Sequence, residues 1–198
     1  MSPLLWMDTL DAPRSFAAAD SLAIVILEDP GVVEVRAHTS DTSLSGLEAA
    51  LRGFPREFSQ AGQTAEWRTI RQDPGHWLVL GPRESASELS CRLREGSRDA
   101  LVTDATGGYS LLRIMGADTS ELMLRLCSQD LSGVQPDDAR GTALAGIHCL
   151  LIRERAPLES WLVLVPRSWS TVLSERLVRT AELARPLGLF KPAPPPPV

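Results

Sequence analysis

The sequence of 198 residues is poor in lysine, in cysteine and in long apolar runs. Its positive charge comes from 19 arginines and one lysine, Lys191, which lies in a proline-rich stretch near the C-terminus. We therefore expect no Schiff-base lysine and no P-loop lysine in the folded body. The formal net charge is −5, so the general basic footprint of a nucleic-acid-binding protein is missing.

Cysteine spacing and hydropathy indicate the cellular setting. The three cysteines, Cys91, Cys127 and Cys149, are far apart and form no CxxC pair. The sequence therefore predicts neither a zinc knuckle nor a disulfide framework, and a reducing cytoplasm fits best. The first residues lack a basic stretch followed by an apolar core, so we expect no secretory signal. A membrane span needs roughly 18 or more apolar residues in a row, and we expect none.

Strand-like and helix-like patterns alternate in four successive strand–strand–helix units. Each unit has two short segments separated by turn residues, then an amphipathic segment that ends near Gly or Pro. The predicted strands are 22–27 and 32–37, 65–72 and 77–81, 100–106 and 109–115, and 142–155 and 160–166. The predicted helices are 41–54, 85–96, 118–127 and 168–184. This order predicts an α+β fold of antiparallel sheets with helices packed on them, arranged as two ferredoxin-like halves.

The pattern also predicts how the chain is divided. We expect a flexible arm over 1–15, a single α+β domain over 16–186 with pseudo-halves at about 16–98 and 99–186, and a proline-rich tail over 187–198. A tryptophan in the arm, Trp6, has little intrachain core to join, which suggests a contact with another chain. The tryptophans predicted to lie in the core are Trp67, Trp77, Trp161 and Trp169.

The stretch 104-DATGGYSLLRIMG-116 has two interpretations, a loop that binds an anion or a tight turn between strands. A pyrophosphate loop needs its glycines at the N-terminus of a helix. Here the next predicted helix begins only after Gly116. Gly107 and Gly108 are therefore predicted to form a primed hairpin turn with positive φ and to bind nothing.

Groups with catalytic potential are few. GxSxG, HExxH, GxxxxGK[ST] and GxGxxG motifs are absent. His148 and Cys149 are neighbours on a predicted strand, so they point to opposite faces and form no dyad by themselves. No pair of carboxylates has helical spacing with a histidine, so no metal site is indicated. We assign no catalytic, cofactor-binding or metal-binding residue. The remaining polar groups interpreted as structural are His38, His76, Asp104, Asp130, Asp137 and Asp138.

Five stretches in order carry a resemblance to a known family. They are 74-PGHWLVLGP-82, 102-VTDATGGYSLLRIMG-116, 126-LCSQDLSGVQP-136, 141-GTALAGIHCLLIRE-154 and 160-SWLVLVPRSWSTVLSERL-177. Over roughly residues 15–185, the chain resembles the gamma subunit of heterotetrameric sarcosine oxidase. The order of pieces is also that of the first part of the aminomethyltransferase, or glycine-cleavage T-protein, fold. The chain is much shorter than a full aminomethyltransferase, and the K-G-C-Y-x-G-Q-E signature of related iron–sulfur repair proteins is absent.

The resemblance implies a function for a whole complex. Such a complex has alpha, beta, gamma and delta subunits, and it oxidatively demethylates sarcosine to glycine with tetrahydrofolate as one-carbon acceptor. FAD, covalent FMN, NAD, tetrahydrofolate and zinc belong to the other subunits. This chain would then be a non-catalytic accessory subunit in the cytoplasm that carries no cofactor. Its main contact would be the alpha subunit, with the beta and delta subunits as further partners.

Three alternatives stay open at this point. The chain could be a free-standing folate-binding module in which Asp104 or Asp130 contacts the pterin. It could be a homo-oligomeric scaffold with no link to oxidation. Within the resemblance, the substrate could be dimethylglycine or another N-methyl amine.

Overall fold

Short apolar runs between turn residues form most of the strands, and longer amphipathic segments form the helices. The computed structural model describes residues 14–19, 21–27, 30–38, 41–51, 61–63, 66–97, 99–156, 159–184 and 187. The strands are β1 Arg14–Ala19, β2 Leu22–Leu27, β3 Gly31–Arg36, β4 Ala61–Gln63, β5 Arg68–Asp73, β6 His76–Gly81, β7 Leu101–Asp104, β8 Tyr109–Met115, β9 Ala139–Leu144, β10 Ile147–Arg153 and β11 Ser160–Pro166. The helices are α1 Asp41–Ala50, α2 Ala86–Gly96, α3 Thr119–Leu126 and α4 Arg167–Ala184.

The described residues form two compact units, and the first contains residues between 28 and 109 together with Asp138–Arg140. Its sheet has five strands in the order β4-β5-β6-β3-β7. Strands β5 and β6 are antiparallel neighbours with Asp73 opposite His76, which confirms this predicted hairpin. Gly75 has φ +78° in the turn, and a Cβ there would lie 2.5 Å from the carbonyl oxygen of Ala37. Glycine is therefore the residue that fits this turn.

Helices α1 and α2 cover one face of the five-stranded sheet. Alternate residues of β3, Val33 and Val35, point toward the helices, as the period of a strand requires. From α2, Ala86, Leu89 and Leu93 are buried, and their spacing places them on one face of the helix. The rest of this core consists of Leu47, Leu51, Trp67, Trp77, Val79 and Val102.

The second unit contains residues between 12 and 27, Ser110–Asp137 and residues from Gly141 onward. It carries a six-stranded sheet in the order β1-β2-β8-β11-β10-β9. Strands β10 and β11 are antiparallel, with Arg153 opposite Trp161, which confirms the predicted pairing of these two segments. The predicted strand 142–155 is, however, divided by a turn at Ala145 and Gly146 into β9 and β10. Helices α3 and α4 contribute to its core, whose buried members include Ile24, Leu112, Ile114, Leu122, Met123, Leu151, Trp161, Leu173 and Leu177. The structure thus confirms the predicted α+β class with antiparallel sheets.

Two predicted hairpins are wrong. Strand β2 pairs with β1 and β8, whereas β3 pairs with β6 and β7, so residues 22–27 and 32–37 belong to different sheets. Strands β7 and β8 are separated in the same way. Turn residues mark the end of a strand, but they do not determine which strand is its partner. Here the chosen partners are distant in sequence, as in the pairing of Leu27 with Leu111.

The predicted primed turn at Gly107-Gly108 is also wrong. The Gly108 N–H donates to the Ala105 carbonyl at 2.9 Å, so Thr106 and Gly107 occupy the central positions. Gly107 has φ +90°, whereas Thr106 and Gly108 have no positive φ. A positive φ at the second central residue alone is the geometry of a type II turn. This turn carries the chain from one sheet to the other, which explains why it differs from a hairpin turn.

One predicted core residue lies at the surface. Helix α4 spans the predicted segment, but Trp169 is 49% exposed. At 100° per residue, Trp169 lies about 80° around the helix from Leu177, at the edge of the buried stripe. The stripe itself is narrow, and its buried residues are Leu173, Ser174, Leu177, Ala181 and Ala184. The other three tryptophans predicted to lie in the core, Trp67, Trp77 and Trp161, are buried.

No capping box forms at the start of α3, although Asp118 and Glu121 have its spacing. Asp118 occupies the N-cap position but makes no side-chain cap hydrogen bond. Its carboxylate is buried and accepts a hydrogen bond from the Ser21 hydroxyl instead. Glu121 pairs with Arg125 at 2.6 Å, one helical turn further along. Trp6 lies outside the described residues, and so does the expected arm over 1–15 except for Arg14 and Ser15, which belong to β1. Of the proline-rich tail, the structure describes Leu187, and the domain bounds stay predictions.

Two leucines of α4 provide a matched test of the fold. Leu177 is fully buried in the core of the second unit, whereas Leu183 is 61% exposed on the same helix. We expect Leu177→Ala to lower the free energy of unfolding by about 2–5 kcal/mol, because it removes apolar contacts and leaves a cavity. Leu183→Ala should change it by less than about 0.5 kcal/mol. Urea denaturation followed by circular dichroism measures both, and equal losses would contradict the assigned helix orientation.

Candidate functional site

The histidines weighed from the sequence lie in different surroundings. His38 follows β3 and is exposed, and His148 is exposed on β10. His76 on β6 is partly buried, with its Nε2 atom 2.9 Å from Glu34 Oε1, although the two are not aligned as a hydrogen bond. Its Nδ1 atom lies 3.9 Å from Asp73 Oδ2. His76 is thus placed for an ion pair with acidic side chains on neighbouring strands.

The cysteine beside His148 faces the core. Cys149 is buried while His148 is exposed, so the two side chains lie on opposite faces of β10, as predicted. Burial raises the pKa of the Cys149 thiol to about 12, because the thiolate would lose its hydration. A thiol with so high a pKa is a poor nucleophile at neutral pH. Cys127, also buried, has its Sγ atom 3.5 Å from Thr142 Oγ1.

The aspartates weighed from the sequence stabilise turns. Asp104 Oδ1 accepts a hydrogen bond from the Thr106 N–H at 3.0 Å, and Asp130 Oδ1 accepts one from the Ser132 N–H at 2.9 Å. The hydrogen bonds from Ser132 hold the pKa of Asp130 below its usual value. Asp137 pairs with Arg155, and Asp138 with Arg140.

Over the part of the chain that the structure describes, no group of three or more His, Cys, Asp or Glu side chains could hold a metal ion. Over the same residues, no helix is both long and apolar enough to span a membrane.

The difference in cysteine burial predicts selective labelling. Cys91 is exposed on α2, whereas Cys127 and Cys149 are buried. At about pH 8, near the ordinary pKa of a free thiol, we expect iodoacetamide to modify Cys91 in the native protein. The other two thiols should react only after denaturation. Peptide mass mapping identifies the modified residue, and Cys91→Ser should abolish native-state labelling. Rapid native-state labelling of Cys149 would contradict the burial and the raised pKa of this thiol.

A pocket of about 240 Å³ opens on the second unit. It lies between α3, the segment that follows this helix, and the adjoining ends of β10 and β11. Its apolar lining comes from Met123, Leu124, Leu131 and Trp161. Its polar lining comes from Ser120, Gln129, Ser132, Arg153 and Glu159. A concave site that combines an apolar lining with a few convergent polar groups is typical of small-molecule binding.

Two side chains of opposite charge give the pocket its electrostatic character. Arg153 donates a hydrogen bond to the Val134 carbonyl, and its guanidinium carbon lies 5.9 Å from the centre of the Trp161 ring. The Glu159 carboxylate accepts hydrogen bonds from the Ser120 hydroxyl and, at 3.3 Å, from Trp161 Nε1. Both charged groups are therefore oriented by neutral neighbours, and Trp161 contacts both of them.

The backbone around the pocket is fixed by contacts from β8. The Gly116 N–H donates to the Glu159 carbonyl at 3.0 Å. Gly116 has φ +130°, and a Cβ there would lie 2.1 Å from the Ser21 carbonyl oxygen, so only glycine fits. Arg113 binds Glu154 through two hydrogen bonds of 3.0 Å, and the Ser160 hydroxyl donates to the same carboxylate. These contacts flank Glu159 on both sides.

Sequence reasoning missed this pocket, although one signal for it was present. Arg153 is in phase with Cys149 and Leu151 on β10, and these two residues face the core. A charged residue at a core-facing position of a strand indicates a buried ion pair or a site. Glu159 had no such signal, because it lies in a connection whose path depends on tertiary contacts. Asp104 and Asp130, weighed for a folate site, do not line the pocket.

Comparison with known proteins finds no matching family model and no matching curated protein. Solved structures do match. A chain of the heterotetrameric sarcosine oxidase from Corynebacterium sp. U-96, solved in complex with pyrrole 2-carboxylate, has a TM-score of 0.76 at 20% identity. The match covers 92% of this chain and 95% of that one. The glycine cleavage system aminomethyltransferase T from Bartonella henselae has a TM-score of 0.62 at 11% identity.

The second match covers 82% of this chain but 46% of the aminomethyltransferase, so the chain spans about half the length of that enzyme. Both similarities lie at identities that show the fold alone. They confirm the expected aminomethyltransferase-like α+β fold.

Proposed function

We propose that this chain is a non-catalytic accessory subunit of a sarcosine-oxidase-like heterotetrameric complex. That complex would oxidatively demethylate sarcosine, or a related N-methyl amine, to the demethylated amine with tetrahydrofolate as the one-carbon acceptor. The chain would be cytoplasmic and would contact mainly the alpha subunit, with beta and delta subunits as further partners. FAD, covalent FMN, NAD, tetrahydrofolate and zinc would be held by those other subunits.

The proposal rests on one structural similarity that extends over most of both chains. The match covers 92% of this chain and 95% of a chain from a heterotetrameric sarcosine oxidase. The two chains thus have nearly the same length and the same fold from end to end. The aminomethyltransferase match covers less than half of that enzyme. The extent of the first match therefore favours a role like that of a sarcosine oxidase subunit.

The pocket is consistent with large cofactors bound elsewhere. Drug-sized ligands occupy pockets of roughly 300–1,000 Å³. The pocket beside Trp161, at about 240 Å³, is smaller than this range. FAD, NAD and a whole tetrahydrofolate are larger than most drugs and would not fit inside it. This pocket is therefore too small to hold those groups.

Exposed apolar side chains support assembly with another chain. Trp169 and Leu183 are exposed on α4, and Leu124 is exposed on α3. Large aromatic side chains are enriched among the residues that dominate protein–protein binding energy. Trp169 lies at the edge of the buried stripe of α4, outside the core of its own unit, so about half of its surface is available to another chain.

Co-expression with the proposed partners tests this function. The chain would be produced with alpha, beta and delta chains from the same genome, with an affinity tag on the beta chain. We expect it to co-purify in stoichiometric amount, with sarcosine oxidation by the assembly and none by the chain alone. Omitting its gene should lower the yield or rate of the complex. A complex that assembles and turns over equally well without it would refute the proposal.

A second candidate, a free-standing folate-binding module, is favoured by the similarity to an aminomethyltransferase. Titration of the isolated chain with tetrahydrofolate separates the two. A folate module should bind with a Kd near or below about 1 μM, equivalent to about 8 kcal/mol, and Asp104→Asn or Asp130→Asn should weaken that binding. The accessory-subunit proposal expects no saturable signal. The exposed Glu182→Gln serves as a control on α4.

A further inference from the structure

Arg153 brings a positive charge to the pocket on the second unit. Its guanidinium is held by the Val134 carbonyl and lies over the Trp161 ring. Among the described side chains, no carboxylate lies within 4.0 Å of it. A guanidinium has five N–H donors, so one hydrogen bond leaves a planar edge for a second acceptor. A carboxylate is the group that this edge binds best, through two parallel hydrogen bonds.

Glu159 provides the opposite charge. Its oxygens accept hydrogen bonds from the neutral donors of Ser120 and Trp161. Within the described part of the chain, no Lys, Arg or His nitrogen lies within 4.0 Å of this carboxylate, and Arg153 is included in that statement. A carboxylate has about four lone-pair positions, so it can accept further donors. An ammonium group would supply both the donors and the missing positive charge.

The apolar lining has a defined size. Met123, Leu131 and Trp161 are buried beneath the pocket, while Leu124 is exposed at its rim. A cavity of about 150 Å³ is enough to hold benzene. The volume of about 240 Å³ therefore leaves room for an aliphatic side chain of several carbons beside the two charged groups. It does not suit a ligand of drug size.

We propose that this pocket binds a free α-amino acid in its zwitterionic form, with an aliphatic or thioether side chain. The ligand carboxylate binds Arg153, the ligand ammonium binds Glu159, and the side chain packs against Met123, Leu131 and Trp161. Ser120, Gln129 and Ser132 also line the pocket, and the Ser120 hydroxyl donates to the Glu159 carboxylate. Each charged contact is strengthened because the pocket is partly shielded from water. The inference rests on this pocket and not on the accessory-subunit function.

The experiment uses the full chain and a set of related small molecules. Isothermal titration calorimetry would compare L-leucine, L-methionine, L-valine and glycine. L-leucinamide, which has no carboxylate, and N-acetyl-L-leucine, which has no ammonium group, are the matched probes. We expect leucine or methionine to bind with a Kd below about 1 mM. Leucinamide and N-acetyl-leucine should each bind at least about tenfold more weakly, because each leaves one pocket charge without a partner.

Two variants assign the contacts to residues. Arg153→Gln should weaken leucine binding at least about tenfold and bring its affinity close to that of leucinamide, because the carboxylate contact is lost in both cases. Glu159→Gln should also weaken leucine binding at least about tenfold. It should bring the affinity for leucine close to the affinity of the unmodified chain for N-acetyl-leucine, because the ammonium contact is lost in both cases. Arg155→Gln and Glu182→Gln change charges that do not line the pocket, and they should bind leucine as the unmodified chain does.

Several outcomes would overturn the proposal. The first is the absence of saturable binding of any of these amino acids below about 1 mM. The second is equal affinity for leucine, leucinamide and N-acetyl-leucine. The third is unchanged leucine binding in both Arg153→Gln and Glu159→Gln. Thermal unfolding of each variant checks that a loss of binding occurs in a folded protein. In NMR spectra of the unmodified chain, the Trp161 indole N–H signal should shift when leucine is added.

Discussion

The antiparallel pairing of β2 with β8 is the constraint on which the rest of the structure depends. It places Ala23 opposite Met115 and Leu27 opposite Leu111, so the paired residues lie 84 to 92 positions apart in the chain. This pairing separates β2 from β3 and β8 from β7, so each sheet takes its strands from distant parts of the sequence. The entropy of closing such long loops must be recovered from burial, and four of the five residue pairs along β2 and β8 are apolar, the exception being Val25 opposite Arg113.

The strand that this pairing positions, β8, also organises the pocket. Arg113 on β8 makes a bidentate pair with Glu154, which is mostly buried, and the Gly116 N–H binds the Glu159 carbonyl. A paired, hydrogen-bonded carboxylate in a shielded place restricts the backbone around it more than a solvated one does. Glu154 and Glu159 bracket the connection between β10 and β11, so β8 sets where the second of these carboxylates stands.

The sequence could predict those elements that depend on residues close together in the chain, and it could not predict contacts between residues far apart in the chain. Helix α2, helix α4 and the β5–β6 and β10–β11 hairpins depend on periodicity and turn residues within a short window, and these predictions are confirmed. The two wrong hairpins depend on partners remote in sequence. Trp169 lies at the edge of a helical stripe, where a small angle decides between burial and exposure. The pocket depends on tertiary contacts that bring Arg153 and Glu159 together. The one indication of it in the sequence was that Arg153 alternates with residues of β10 that face the core.

A ligand pocket and an assembly surface on one unit would be linked thermodynamically. A ligand that binds only the folded unit stabilises it by RT ln(1 + [L]/Kd), so an occupied pocket would make α3 and the segment after it harder to unfold. Leu124 lies at the rim of the pocket and is exposed, so a partner that packs on α3 would cover the pocket entrance. Ligand and partner would then change each other's affinity by the same factor. The sign of this coupling depends on how the partner binds. A partner that closes over an occupied pocket would strengthen ligand binding, whereas a partner that inserts a side chain into the pocket would compete with the ligand.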